Sequence, residues 1–269
     1  MKVLFIGDIV GKPGVDFVIR VIPALRRREA IDLVIVNGEN AEAGSGITRS
    51  IYGKLRTALV DCITLGDHAY RKADIFETLD SAEDIVRPGN YPAEAPGRGW
   101  TIVKTDRGIE VAVVNLIGRV FMKPVDCPFH AANRILEKIP NDVVVRVVDF
   151  HAEATSDKQL MGRMLDGRVS MVLGTHTHVP TADEQILPGG TAFQCDVGMT
   201  GPHQGILGRD YAQVLETTLT MRPKTLHVAS GDVRMCGALV EVDDATGLAK
   251  SIQRIQINEQ DAAELVARP

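Results

Sequence analysis

Short apolar runs that stop abruptly on a polar residue limit most strongly how this chain can fold. Val3–Ile6, Leu33–Val36 and Cys62–Leu65 are such runs. Each is bounded by turn residues and reads as a buried strand. Between them, Val15–Glu29 and the stretch from Thr48 to about Leu59 space their apolar residues helically, with Thr48 as candidate N-cap and Pro23 as an expected bend. Strands separated by helices of this length imply βαβ units and a sheet with helices on its faces. A short helix is expected at Asp74–Leu79.

The later sequence has a different rhythm. Asn90–Pro96 is rich in Pro and Gly and reads as irregular. Trp100–Lys104 and Glu110–Leu116, joined through Arg107-Gly108, predict an antiparallel hairpin. Helices are expected at His130–Ile139, at Ser156–Leu165 with Ser156 as cap, and near Tyr211–Thr220. Strands are expected at Val143–Phe150 (with Arg146 inside), Val169–Leu173 and Thr191–Cys195. Asp232–Val242 and Lys250–Ile257 form a closing hairpin about Asp243–Gly247. No repeat or linker divides the chain. The reading is one mixed α/β domain over 1–257, followed by a polar tail, 258–269, that frays or forms a short helix.

Composition removes several classes. Lys+Arg 30 against Asp+Glu 35, and 4% aromatic residues, supply neither a basic stripe for a long nucleic acid nor a stacking platform. Arg26–Arg28 is the one basic run and reads as an exposed helix face. The four cysteines are widely separated with no CxxC, which suits free buried thiols in a reducing cytoplasm. The opening MKVLFIGD is too short in apolar residues for a signal peptide, and no run approaches a membrane span.

In α/β sheets, ligands collect beyond the carboxyl ends of the strands. Those ends carry Gly7-Asp8, then Asn37-Gly38-Glu39-Asn40, then Gly66-Asp67-His68, then His151, then Gly174-Thr175-His176-Thr177-His178. Five strand ends in succession thus present carboxylates and imidazoles, including four of the seven histidines. This donor set suits Mn, Fe, Zn or Ni, and more than four ligands imply two ions. Gly7, Gly38, Gly66 and Gly174 allow tight turns and close approach beside them. Competing motifs fail: Gly7–Pro13 is one residue short of a phosphate loop and lacks its Ser/Thr, and there is no HExxH or GxSxG.

The order GD, GEN, GDH, a lone His and GTHTH resembles the signature blocks of calcineurin-like metallophosphoesterases. GDIVGKPG, NGENAEAGSGIT, DFHAEATSDK and DVGMTGP are similar to the YmdB-type branch, which acts on cyclic nucleotides; the similarity runs from Met1 to about Gly208. The resemblance implies a four-layer α-β-β-α sandwich with two mixed β-sheets. It implies that Asp8, Asn40 and His178 hold a first metal, that Glu39 bridges, and that Asp67, His151 and His176 hold a second. His68 would lie beside the scissile phosphate as the catalytic acid. Two transition-metal ions per chain are expected, Fe or Mn first, with Zn or Mg as alternatives.

Val10 stands where the wider superfamily has a His ligand, with Asn40 in its place, and Asp67 stands where it has Asn. Asp67 adds a third negative charge, which should tighten binding of hard or trivalent metal. The expected reaction is hydrolysis of a small phosphodiester, 2′,3′-cAMP or 3′,5′-cAMP, by a metal-bridging hydroxide. The alternatives are a phosphomonoesterase, an endonuclease, or a metal-loaded regulatory protein. Lys12, Arg49 and Lys158 read as surface charges within possible reach of phosphate; His130 and His227 read as structural; His203 lies in a loop that could close over the site. A homo-oligomer is possible through the edges of the late hairpin.

Overall fold

The structure, a computed structural model, describes residues 1–267. The chain opens with β1 (Lys2–Ile6), β2 (Asp8–Ile9), α1 (Gly11–Glu29), β3 (Leu33–Asn37), α2 (Arg49–Thr57), β4 (Cys62–Thr64), α3 (Phe76–Ser81) and β5 (Ile85–Val86). It continues with β6 (Trp100–Lys104), β7 (Glu110–Ile117), α4 (Pro128–Leu136), β8 (Val145–His151), α5 (Thr155–Leu165) and β9 (Met171–Thr175). It closes with β10 (Gln185–Ile186), β11 (Ala192–Gln194), β12 (Met199–Pro202), α6 (Tyr211–Thr220), β13 (Val233–Val242), β14 (Ala249–Ile257) and α7 (Glu259–Ala267).

These strands form two mixed sheets. In the first, β1, β3, β4 and β5 run parallel, while β13 joins β1 antiparallel and β14 flanks β13. β2 and β12 pair in parallel and extend this sheet beyond β13, which β12 joins antiparallel. The second sheet runs β10-β11-β9-β8-β7-β6, parallel at its centre and antiparallel at both edges.

Alternation along each strand builds the layers. Leu4, Ile6, Val34 and Val36 face α1, α2 and α7 in one core. Val3, Phe5, Leu33 and Ile35 face the other way and meet Val111, Val113, Val145 and Val147 between the sheets. Ala112, Val114, Val148 and Phe150 pack beneath α4 and α5. The result is the expected α-β-β-α sandwich. Its parallel strands are buried on both faces, so their sequence reads as continuous apolar runs.

Several local expectations change. α1 begins at Gly11, because Pro13 falls in the first turn, where a missing N–H costs nothing, and the helix continues through Pro23. Arg26 is no exposed charge: it donates to Leu59 O, Asp61 Oδ2 and Asp32 O at 2.8–3.0 Å, leaving only Arg27 and Arg28 in solvent. α5 starts at Thr155 after Ala154, and Ser156 does not cap it. The segment expected as a polar tail becomes α7 as far as Ala267, with Ala262 and Leu265 in the same core as α1; positions 268 and 269 lie outside the described residues. Among the described residues, α6 is the one helix that buries nothing, and no helix is long and apolar enough to cross a membrane.

Candidate metal centre

All eight residues picked out at the strand ends converge at one end of the two sheets. Asp8 opens β2, Glu39 and Asn40 follow β3, Asp67 and His68 follow β4, His151 ends β8, and His176 and His178 follow β9. Asp8, Glu39, Asn40 and His151 are buried, and the others are partly accessible. One donor atom from each of Glu39, Asp67, His151 and His176 lies within 4.8 Å of all the others. His151 Nε2 is 3.2 Å from Asp67 Oδ1 and 3.4 Å from Glu39 Oε2. On the other side, His178 Nε2 is 3.7 Å from Asp8 Oδ1 and 3.3 Å from Asn40 Nδ2. Glu39 spans the two groups, its Oε1 accepting from Asn40 Nδ2 at 2.8 Å.

Local geometry is held by backbone amides. His68 N donates to Glu39 Oε2 and His176 N donates to Asp8 Oδ2, both at 3.0 Å. His176 and His178 have φ of 97° and 65°, a costly conformation for residues with a Cβ. Thr177 between them donates its N–H and hydroxyl to Asp196 Oδ2, which fixes the strained loop. The four glycines of the strand ends all avoid the left-handed region, so what they contribute is space. At Gly66 a Cβ would overlap His151 Nε2 and Glu39 Oε2.

The electrostatics follow from crowding carboxylates and imidazoles out of water. Burial pushes the Asp8 carboxyl upward despite His178 and His151. Burial also opposes ionisation of Glu39 and Asp67, but His151 overrides it and holds both below their ordinary range. His151 is raised well above its ordinary value, because Glu39, Asp67 and Asp8 outweigh its burial. Burial and the neighbouring His151 lower His176 to about 4.

Two features fit a metal. Asp8 Oδ1 is buried without a hydrogen-bond partner, an arrangement costly unless a cation supplies one. The three cluster histidines also share an orientation. His151 Nδ1 meets Thr175 Oγ1 at 2.9 Å, His176 Nε2 meets Glu153 Oε2 at 3.1 Å, and His178 Nδ1 meets Leu207 O at 3.2 Å. Each acceptor fixes the outer N–H and leaves the inner nitrogen's lone pair facing the cluster, as metal-ligating histidines require.

The residues behind these contacts escaped the sequence reading. Thr175 donates to Asp149 Oδ1 at 2.7 Å, so it accepts from His151 Nδ1. Asp149 Oδ2 accepts from Thr64 Oγ1 at 2.5 Å and from Asn37 Nδ2 at 3.0 Å. Burial pushes Asp149 up to about 6. A signal was present: Asp149 precedes His151 by two positions on one strand, and so shares its face.

Other expectations need amendment. Asn40 presents its amide nitrogen to Glu39 and His178, while its Oδ1 lies 2.8 Å from His68 Nδ1; offering oxygen to a metal requires the amide to turn over. Lys158 is 2% exposed and donates to Asp196 at 2.7 Å, so it is an internal ion pair and no surface charge. Lys12 and Arg49 are exposed and pair with Asp16 and Glu77. The His203 ring bonds Gly201 O at 2.9 Å, and His130 is exposed on α4.

A family model described as YmdB-like protein matches residues 4–255. The chain belongs to the YmdB-like family. This YmdB-like protein is 45% identical over 259 residues, 96% of its length and 98% of the relative's, to a Bacillus subtilis (strain 168) protein named 2′,3′-cyclic-nucleotide 2′-phosphodiesterase. A crystal structure of a hypothetical protein from Thermus thermophilus superposes with TM-score 0.91 at 42% identity, covering 96% of this chain and 100% of that one. A Mycoplasma pneumoniae structure described as a novel phosphatase superposes with TM-score 0.90 at 30% identity, covering 100% and 97%.

Proposed function

We propose that this YmdB-like protein is a metal-dependent phosphodiesterase of small cyclic nucleotides, with nucleoside 2′,3′-cyclic phosphates as its first substrates. The carrying observation is the shared orientation of His151, His176 and His178, whose outer nitrogens are fixed while their inner nitrogens face three carboxylates. The assignment divides the residues into Asp67, His151 and His176 around one ion and Asp8, Asn40 and His178 around another, with Glu39 between. Two transition-metal ions, iron or manganese, held there supply charge to polarise phosphoryl oxygens and to acidify water. The free cysteines suit a reducing cytoplasm.

The chain's own residues do the rest. His68 stands at the rim, its Nδ1 engaged by Asn40 Oδ1 and its Nε2 3.4 Å from Asp67 Oδ2. From there, His68 holds a proton at Nε2 for the departing alkoxide, so that breaking one phosphoester bond leaves a neutral ribose hydroxyl. Beside Asp67 lies a cavity of about 370 Å³ lined by Tyr70, Arg71, Tyr91 and Lys123 among others. The Tyr91 hydroxyl contacts Gly66 O at 3.3 Å and the Tyr70 hydroxyl donates to Pro96 O at 2.7 Å, which fixes both rings at the mouth. Two of the chain's four tyrosines thus border a space large enough for a base, and Lys123 adds a positive charge.

The test is metal analysis of the purified protein followed by a panel of 2′,3′- and 3′,5′-cyclic nucleotides, a nitrophenyl monoester and short RNA. Hydrolysis confined to the monoester or the RNA would remove the proposal. His68→Ala should lower kcat on the cyclic substrate about a hundredfold or more with metal content unchanged, the scale of a lost general acid. Loss of metal in that variant would show His68 to be a ligand. Asp67→Asn removes one negative charge from the pocket. It should weaken metal retention, most for trivalent ions, and move the acid limb of the pH–rate profile to lower pH. An unchanged profile and metal requirement would show that the extra charge is inert.

A further inference from the structure

Phe121 is 90% exposed, more than any other large hydrophobic residue among the described residues. Its φ is 59°, in a turn that Met122 N closes by donating to Arg119 O at 3.2 Å. A glycine takes that backbone freely, whereas a bulky side chain there costs free energy. Neither packing nor backbone preference accounts for a phenylalanine at this position. Strain of this kind without an internal return points to a contact outside the chain.

The loop that carries Phe121 is fixed to the metal centre. Asn90, 1% exposed, staples both of its ends. Ile117 N donates to Asn90 Oδ1, and Asn90 Nδ2 donates to Ile117 O and Asp126 O, all at 2.8–2.9 Å. Just inside the first staple, Gly118 N donates to the carbonyl of His151 at 2.9 Å. Nearer the second, Lys123 Nζ donates to the carbonyl of Asp67 at 3.3 Å. Lys123, Pro124 and Val125 line the cavity beside Asp67, and Phe121 lies two residues before them, a span of at most about 7 Å. The same cavity is lined by Tyr91, whose ring packs on Tyr70 with centroids 5.8 Å apart; Tyr70 packs in turn on Phe76 at 5.5 Å.

We propose that Phe121 is the base-stacking residue of this site. With the nucleotide's phosphate at the metal centre, its base lies between Phe121 and Tyr91, and Lys123 meets the phosphate charge. This rests on the cyclic-nucleotide reading and adds the place where the base is held. An aromatic ring stacks on the π-face of any base, so the contact raises affinity for nucleotides while discriminating little among them. Lys123 has a neutral carbonyl as its partner, which leaves its charge available to a phosphate. Size argues against a macromolecular occupant. Phe121 and Val120, the latter 41% exposed, present on the order of 250 Å², well short of the roughly 800 Å² per partner of a stable protein interface.

The test compares ligands with and without a base. On adenosine 2′,3′-cyclic phosphate, Phe121→Ala should raise KM about tenfold or more, the scale of one lost stacking contact, with little change in kcat. On methyl riboside 2,3-cyclic phosphate, which has no base, wild type and variant should agree. Phe121→Trp should restore the KM. Phe121→Gly should share the kinetic defect yet melt as the wild type does, because the exposed ring supports no core. Calorimetric binding of adenosine 3′-monophosphate against ribose 3-phosphate scores the proposal independently of turnover. The wild type should hold the nucleotide about tenfold or more tightly than the base-free phosphate, and Phe121→Ala should remove the difference. If no cyclic nucleotide is hydrolysed, the phosphodiesterase reading fails and this binding comparison alone decides the role of Phe121. The proposal is overturned if the wild type binds the two phosphates equally, or if Phe121→Ala raises KM as much for the base-free substrate. It is overturned equally if Phe121→Ala alters sedimentation of the chain while nucleotide KM stays at the wild-type value, which would assign the ring to a protein contact.

Discussion

Gly66→Ala should abolish hydrolysis almost completely while leaving the protein folded. The added Cβ meets His151 Nε2 and Glu39 Oε2, two donors that face each other across the site. His151 cannot retreat, because its Nδ1 is locked through Thr175 to Asp149. Glu39 is buried and receives the His68 amide. The methyl group therefore occupies the space between the donors. Metal content should fall well below that of the wild type, and kcat/KM should drop by about a thousandfold, as when a preorganised site is displaced by about an ångström or more. Elemental analysis alongside kinetics checks this. Full metal occupancy with normal turnover would mean that the donors gather their ion elsewhere.

Lys158→Met should produce the largest loss of stability of any single substitution outside the donors. Lys158 and Asp196 are both nearly inaccessible, and removing one partner leaves the other charge uncompensated, at a cost of about 3–5 kcal/mol. At roughly 2–4 °C per kcal/mol for a chain of this size, Tm should fall by about 10 °C. The double variant Lys158→Met/Asp196→Asn should recover part of the loss, since no buried charge is then unpaired. Asp196 also fixes Thr177, so Lys158→Met should weaken metal binding through His176 and His178. Calorimetry and metal titration on the same preparations separate the two effects. Additive single-variant losses would show that the two side chains are not coupled.

The convergence of the strand-end residues was legible in sequence because they adjoin strands buried on both faces, and such strands are the plainest pattern a chain can carry. The same strands made the layers legible, since alternate residues such as Leu4 and Phe5 had to find different cores. What escaped depends on pairing between distant segments. Asp149 reads as one more residue of an apolar strand until Thr64, Thr175 and Asn37 are seen to converge on it. Lys158 reads as a surface charge until Asp196, 38 positions later, is found opposite it. Arg26 likewise depends on Asp61 and two carbonyls. Composition identified the tail as polar, but two apolar residues one turn apart, Ala262 and Leu265, were enough to dock it.

The position of β1 dictates when this protein can finish folding. Val3 pairs with Leu33 on one side and with Val240 on the other, so the first strand made waits for almost the last. Asp8 is held in register with Met199. At a synthesis rate of roughly 5–20 residues per second, about 10–50 s pass between the appearance of β1 and that of β13. During that interval the nascent chain keeps one edge of β1 without its strand partner. The motif residues all precede β13, but β1, the strand that leads into Asp8, gains its second neighbour only when the final hairpin arrives.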